Sequence, residues 1–133
     1  MGTWGTGPFH NDEAAEFAED LDDLTEMARP LAIRYALTEA AGVAGYLDAD
    51  VAAIAVAAAA LVGAQCQGRG RIDPVHGPKR PIPQLPSELR AVAVRALARV
   101  LATDSELSDL WATSADSASW RDQVTQLHHT LTL

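Results

Sequence analysis

The stretch VAAIAVAAAALVGA at residues 51–64 decides the fold. It carries no charge and is shorter than the roughly 20 apolar residues that a membrane-spanning helix needs. Its apolar side chains surround the helical axis almost completely, which is typical of a helix buried in a protein core. Asp48 is placed to cap this helix, so we predict a central core helix that runs to about Gln65.

The segments on both sides of this helix repeat apolar residues at three- and four-residue steps, the spacing of amphipathic helices. We predict a helix over 11–28 that begins at Asn11 and a helix over 30–44 that begins at Pro30. A further predicted helix begins at Ser87. Two capping boxes, Thr103-Asp104-Ser105-Glu106 and Ser119-Trp120-Arg121-Asp122, predict the starts of two more helices. No stretch alternates polar and apolar residues over a strand length. The predicted fold class is therefore all-α, a single-domain compact bundle of five or six helices.

Length and composition favour one soluble domain that spans residues 1–133. The chain has 133 residues, 48% of them hydrophobic and only 5% aromatic, so close packing of alanine-rich helices must provide most of the core. The single cysteine, Cys66, excludes an internal disulfide and fits a reducing compartment. Because no charged segment followed by an apolar stretch opens the chain, we expect no signal peptide and a cytoplasmic protein.

The negative charge is concentrated in the first 26 residues. Of the 18 acidic residues, eight lie there with no lysine or arginine, and the other ten balance the ten basic residues, so this segment carries the whole net charge of -8. Such a surface repels nucleic acid and anionic membranes and attracts a basic protein. The acids near the end of the first helix oppose the helix dipole unless a cation covers them. We predict that Glu19, Asp22, Asp23 and Glu26 form a partner-binding acidic face, the alternative being a solvated surface.

Residues 67–86 form a long loop that is rich in proline and glycine and carries basic residues. The five prolines, with glycines among them, exclude regular secondary structure. We predict a contact role for its basic residues, Arg69, Arg71, Lys79 and Arg80. The alternative is that the loop lies across the acidic end of the first helix within the same chain.

The N-terminal segment GTWGTGPFHND at residues 2–12 combines two aromatic residues with three glycines and one proline. We predict that residues 1–10 form an ordered clasp that packs on the bundle and leads into the first helix. The residues of this structural motif are Trp4, Gly5, Gly7, Phe9 and Asn11. A phosphate-binding loop is excluded because acidic residues follow the glycines at once and the lysine of a P-loop is missing.

The sequence resembles a family of small bacterial proteins grouped as domain of unknown function 4259. The likeness rests on Trp-Gly-Thr-Gly-Pro-Phe at 4–9 with Asn-Asp at 11–12, on the alanine-rich central helix, and on Ser-Glu-Leu at 105–107 with Leu-Trp at 110–111 and the later Trp120. It covers nearly the whole chain. His10 stands where similar proteins have an acidic residue. The resemblance implies a bacterial, cytoplasmic protein and supplies no catalytic residues.

The titratable residues do not form a recognisable catalytic motif. Asp12, Glu13 and Glu16 with His10 are weak candidates for a Mg²⁺ or Ca²⁺ site, since residues three and four apart share a helix face. Cys66 at the end of an apolar helix is more typical of a small buried residue than of a nucleophile paired with His76 or His128. The adjacent His128 and His129 face different sides of a helix and cannot chelate one ion. We predict no catalytic residue, no metal site and no cofactor.

These observations favour a non-catalytic protein-binding or regulatory protein with an acidic contact helix, and an immunity or antitoxin-like role is one concrete version. Its predicted partner is a protein with a basic surface, with neither nucleic acid nor a membrane involved. Two alternatives stay open at this point. One is a metal-dependent enzyme that uses the carboxylates of the first helix with His10, and the other is a structural homodimer built on exposed alanine-rich helix surface.

Overall fold

The fold is an all-α bundle, described in a computed structural model for residues 5–66 and 76–132. Within these ranges there are six helices and no strand, and the elements are α1 Asp12–Asp23, α2 Ala28–Ala41, α3 Ala49–Cys66, α4 Leu89–Leu101, α5 Glu106–Ala112 and α6 Ser117–Thr132. The predicted fold class is confirmed. One isolated parallel β-bridge pairs Leu47 with Ser105.

Helix α3 is the centre of the bundle, as its sequence predicts. It packs against each of the other five helices, and its alanines at 52, 53, 55 and 57–59 are buried. Small residues on α3 leave room for larger side chains of its neighbours; a Cβ added at Gly63 would lie 2.7 Å from Cδ1 of Leu127 on α6. By length and hydropathy α3 could span a membrane, but more than half of it is buried inside the protein. The homodimer alternative stays a prediction.

Side-chain contacts define the directions of the helices around α3. Arg34 on α2 pairs with Glu88 just before α4 at 2.5 Å, and Arg99 near the end of α4 donates to the carbonyl of Val43 just after α2 at 3.1 Å. Helices α2 and α4 therefore run in the same direction. On α6 the carbonyl of Leu131 accepts from Arg90 near the start of α4, so α6 runs the opposite way.

The first helix is shorter than predicted. It ends at Asp23, and the chain turns through 24–27 before α2 begins at Ala28, two residues earlier than predicted. A continuous helix is excluded because Pro30 has no backbone N–H and would clash with the carbonyl four residues before it. In the observed fold Pro30 lies in the first turn of α2, where no N–H partner is required. Helix α2 ends at Ala41, with Gly42 at its C-terminus.

Both predicted capping boxes differ from the observed helix starts. Ser105 caps α5 by accepting from the backbone N–H of Ser108, and the carboxylate of Glu106 accepts from the N–H of Ala49 at 2.7 Å, away from its own helix. The second box, residues 119–122, lies inside α6, which begins at Ser117. A turn at Ser114 starts this helix, since Ser114 accepts from the N–H groups of Asp116 and Ser117.

A buried arginine joins α1, α2 and the proline-rich loop. Arg29 is 5% exposed, and its guanidinium donates to the carbonyls of Leu21 at 3.0 Å, Leu24 at 3.0 Å and Pro81 at 2.9 Å. Leu21 lies in the last turn of α1 and Leu24 is its C-cap residue, so both carbonyls lie at the end of the helix that carries partial negative charge; the carbonyl of Leu21 also accepts from the N–H of Leu24. Arg29 thus caps α1 from outside the helix and fixes the loop against it.

We expect Arg29→Ala to lower the free energy of unfolding by about 3 kcal/mol, because three carbonyl oxygens lose a charged donor in a buried site. Arg29→Lys should recover only part of this loss, since one ammonium group cannot span all three acceptors. Urea unfolding followed by circular dichroism measures both changes. The matched control is Arg34→Ala, which breaks an exposed ion pair and should cost less than about 1 kcal/mol; equal losses for the two alanine variants would contradict this role of Arg29.

Candidate functional site

The acidic residues of α1 are mostly exposed, and those near its end have no basic residue in the same helical turn. Glu19 and Asp23 lie one turn apart on α1, and Glu26 follows in the turn that leads to α2. All three side chains are exposed. We call these three residues the acidic surface.

The sequence predicts that Asp22 belongs to the same face, but it differs from the other three residues because the loop covers it and binds its carboxylate. It is only partly exposed, and its carboxylate accepts from the backbone N–H of Lys79 at 3.0 Å and of Arg80 at 2.9 Å. The loop therefore crosses the end of α1 within the same chain, as the intrachain alternative predicts. Backbone amides provide this contact. Arg69 and Arg71 lie outside the described residues, so their predicted contact stays a prediction.

The described part of the loop is anchored along its length by side chains from the helices. Gln65 at the end of α3 donates to the carbonyls of Ile82 and Pro83 and accepts from the N–H of Leu85 at 2.8 Å. Proline-rich backbone cannot form a hydrogen-bonded ladder, so its remaining polar groups need partners of this kind. Leu85 is also buried in the core.

A row of large apolar side chains lies exposed on the outer side of α2 and was not found from the sequence. Met27 is 85% exposed, Leu31 65% and Tyr35 68%, at successive four-residue steps. We call these three residues the apolar stripe. It went unnoticed because α2 is apolar on two faces, the other being the core face with Ile33, Leu37 and Ala40. A count of large apolar residues left over after assigning the core face would have found it.

The apolar stripe meets the acidic surface at the turn between α1 and α2. Asp23 and Glu26 alternate in the chain with Leu24 and Met27, and Leu24 is itself 36% exposed. Farther along α2, a hydrogen bond to Glu39 raises the pKa of Tyr35 above its ordinary value, with Coulombic repulsion by the same carboxylate adding to the effect. Acidic groups therefore accompany both ends of the stripe.

The N-terminal clasp is ordered where it is described. Phe9 is buried, and Asn11 caps α1 by accepting from the N–H of Ala14 at 2.8 Å. The imidazole of His10 lies so close to Gly5 and Gly7 that an added Cβ would come within 2.6 Å and 2.9 Å of its Nδ1, respectively. The glycines make room for this ring. Trp4 lies outside the described residues, so its predicted packing stays a prediction.

The candidate metal ligands do not come together in the described ranges. There, no group of three or more His, Cys, Asp or Glu side chains is placed to hold a metal ion. Asp12 and Glu16 are exposed and Glu13 is partly exposed, whereas His10 makes an edge-to-face ring contact with His76, with centroids 5.2 Å apart.

The remaining candidate nucleophile and bases are spread over the molecule. Cys66 is exposed at the end of α3, so the expectation of a buried thiol is wrong. Burial decreases over the last turn of α3, from the buried Gly63 through the partly exposed Ala64 and Gln65 to the exposed Cys66. His129 is exposed in the last turn of α6, and His128 is partly exposed.

A groove of about 300 Å³ lies between the clasp, α3 and α6. Its floor consists of small apolar groups on α3, and Thr6, Gln123, Gln126 and Thr130 provide its polar groups. Gln123 donates a hydrogen bond to Thr6 across one end. None of the described residues that line the groove is charged.

These features define an all-helical protein with an acidic, partly apolar surface, next to which Asp22 anchors the described part of a proline-rich loop. The chain belongs to the family described as "Domain of unknown function (DUF4259)", whose model matches residues 2–123. The family resemblance drawn from the sequence is thereby confirmed. Neither the curated proteins nor the solved structures provide a match.

We expect Asp22→Ala to lower the free energy of unfolding by about 1–2 kcal/mol, because the N–H groups of Lys79 and Arg80 lose their acceptor. The neighbouring variant Asp23→Ala removes the same group from an exposed position and should change stability by less than about 0.5 kcal/mol. Urea denaturation of both proteins provides the comparison. If Asp23→Ala cost as much as Asp22→Ala, the anchoring of the loop by Asp22 would be wrong.

A second prediction concerns Tyr46, whose hydroxyl donates to Oδ2 of Asp109 at 2.6 Å. This hydrogen bond, followed by desolvation and the charge of Asp109, raises the pKa of Tyr46 to about 12. The hydrogen bond contributes fully below the ordinary tyrosine pKa and is lost as the pH rises through the raised one. Tyr46 is one of two tyrosines, so half of the absorbance change at the tyrosinate band should develop only near pH 12, above the ordinary tyrosine titration near pH 10.

Asp109→Asn should return one of the two tyrosine pKa values toward its ordinary range, since the negative acceptor is lost. The half of the absorbance change that belongs to Tyr46 would then move from near pH 12 to lower pH. A titration of Asp109→Asn that superimposes on that of the wild type would contradict the assignment of the shift to Asp109.

Proposed function

We propose that this protein is a non-catalytic binding protein that holds a basic region of another protein on its acidic surface. An immunity or antitoxin-like role, in which the acidic domain neutralises a basic effector, is one concrete form of this function. The single cysteine fits a reducing environment, so the proposed location is the cytoplasm.

The proposal rests on a difference among four neighbouring acidic residues: one carboxylate is bound within the chain and three are exposed. Asp22 is bound by backbone amides of the loop, whereas Glu19, Asp23 and Glu26 stay exposed where the helix dipole is also negative. Mutual repulsion of the three exposed carboxylates costs stability in the free protein, although Arg29 already supplies a cation to the carbonyls at this helix end. A cationic partner would relieve that cost, so binding energy is available at this position without any change in the fold.

Long-range charge supports the same conclusion. The net charge of -8 is confined by sequence to the segment that forms the clasp and α1, so its field attracts a basic protein and repels nucleic acid and anionic membranes. Electrostatic steering of this kind raises association rates and falls with ionic strength.

The test is affinity capture with identification, using the wild type and two charge-reversal variants. Asp23→Lys/Glu26→Lys reverses the acidic surface and leaves Asp22 in place, so the loop keeps its anchor. The matched control is Asp122→Lys, which reverses an exposed charge on α6. We expect a basic protein to be retained by the wild type and the control, lost from the double variant and released by salt. A set of captured proteins that is identical for all three would overturn the proposal.

A further inference from the structure

The apolar stripe has no partner among the described residues of this chain that would explain its exposure. Met27, Leu31 and Tyr35 expose between 65% and 85% of their area, although α2 needs none of them for its core face. Single exposed apolar residues are common on protein surfaces, but a row of large ones along one helix marks an interaction site. Steps of four residues are also the spacing by which one helix presents anchors to another.

The charges around the apolar stripe indicate the occupant. Asp23 and Glu26 lie at its first end, and the exposed Glu39 lies one helical turn beyond Tyr35 at its other end. A helix that packs there must bring apolar side chains to the stripe and positive charge to both ends. A second copy of this chain would instead place like acidic residues against each other, in two molecules that each carry a net charge of -8.

We propose that the apolar stripe binds one amphipathic helix of a partner protein, with leucine-like anchors along one face and lysine or arginine beside them. This inference rests on the proposed function and names the form of the basic partner. The partner's anchors contact Met27, Leu31 and Tyr35, and its cations lie near Asp23, Glu26 and Glu39. Apolar contact holds the complex, while the acidic residues orient it.

The probe is a fluorescein-labelled peptide of leucine and lysine, about five helical turns long, with all leucines on one face. A second peptide has the same composition in an order that gives no apolar face. Fluorescence anisotropy measures the binding of each to the full chain. We expect the wild type to bind the amphipathic peptide with a dissociation constant at least about tenfold lower than that of the scrambled one, since burial of apolar side chains changes the dissociation constant by a factor of this size or more.

Two variants separate the apolar contribution from the charge. Met27→Gln/Leu31→Gln should weaken binding of the amphipathic peptide by about tenfold or more. These positions are exposed, so the fold should be unaffected. The matched control, Leu110→Gln, alters a leucine on α5 that is 59% exposed and should leave binding unchanged. Asp23→Lys/Glu26→Lys should weaken binding of both peptides.

The outcomes distinguish this inference from the function on which it rests. Equal binding of both peptides, lost on charge reversal but unaffected by the glutamine variant, would overturn the inference and leave the acidic surface as a binding site. Binding of the amphipathic peptide that charge reversal does not change would overturn both. A concentration-dependent dimer in sedimentation that Met27→Gln/Leu31→Gln dissolves would show that a second copy occupies the stripe, and would also overturn the inference.

Discussion

The buried guanidinium of Arg29 is the interaction on which the arrangement of this protein depends. Helix α1 ends in acidic residues without a basic side chain in its last turn, so its C-terminal carbonyls and the helix dipole both lack a cation of their own. Arg29 supplies that cation from the next helix, through the carbonyls of Leu21 and Leu24. The same side chain holds Pro81, so the path of the loop is determined by the residue that also ends α1.

Other long side chains also donate hydrogen bonds to backbone carbonyls of irregular segments elsewhere in the bundle. Arg99 on α4 donates to the carbonyls of Val43 and Gly45 in the linker that follows α2, and also to Asp104 before α5. Gln65 binds the backbone of the proline-rich loop in the same way, by donating to the carbonyl of Ile82 and accepting from the N–H of Leu85. Helices satisfy their own backbone groups, whereas irregular segments must find partners in tertiary structure. In this fold the partners are arginine and glutamine side chains that project from the ends of helices, which explains how a proline-rich segment packs without a sheet.

This difference between helices and irregular segments also explains which features the sequence can predict. Helix identity follows from local periodicity, and the sequence alone predicts the core position of α3 and the cap at Asn11. Helix ends depend on contacts outside the helix itself: Arg29 of the next helix caps α1, and Glu106 accepts from the N–H of Ala49, 57 residues away, in place of its own helix terminus. A capping-box pattern does not reveal whether its glutamate binds its own helix terminus or a backbone N–H elsewhere in the fold. The acidic surface follows directly from composition, but the role of Asp22 depends on amides 57 and 58 residues away.

The turn at 24–27 joins this internal framework to the surface. Its carbonyl at Leu24 is held by Arg29, and Thr25 accepts from the N–H groups of Ala28 and Arg29, so the turn is hydrogen-bonded on both sides. The same turn displays Glu26 and Met27, where the acidic surface meets the apolar stripe. Binding to a surface that is already fixed costs less conformational entropy than binding to a mobile one. The buried arginine therefore does more than stabilise the fold, because it holds charge and apolar area in one defined relation at the position where we propose that a partner binds.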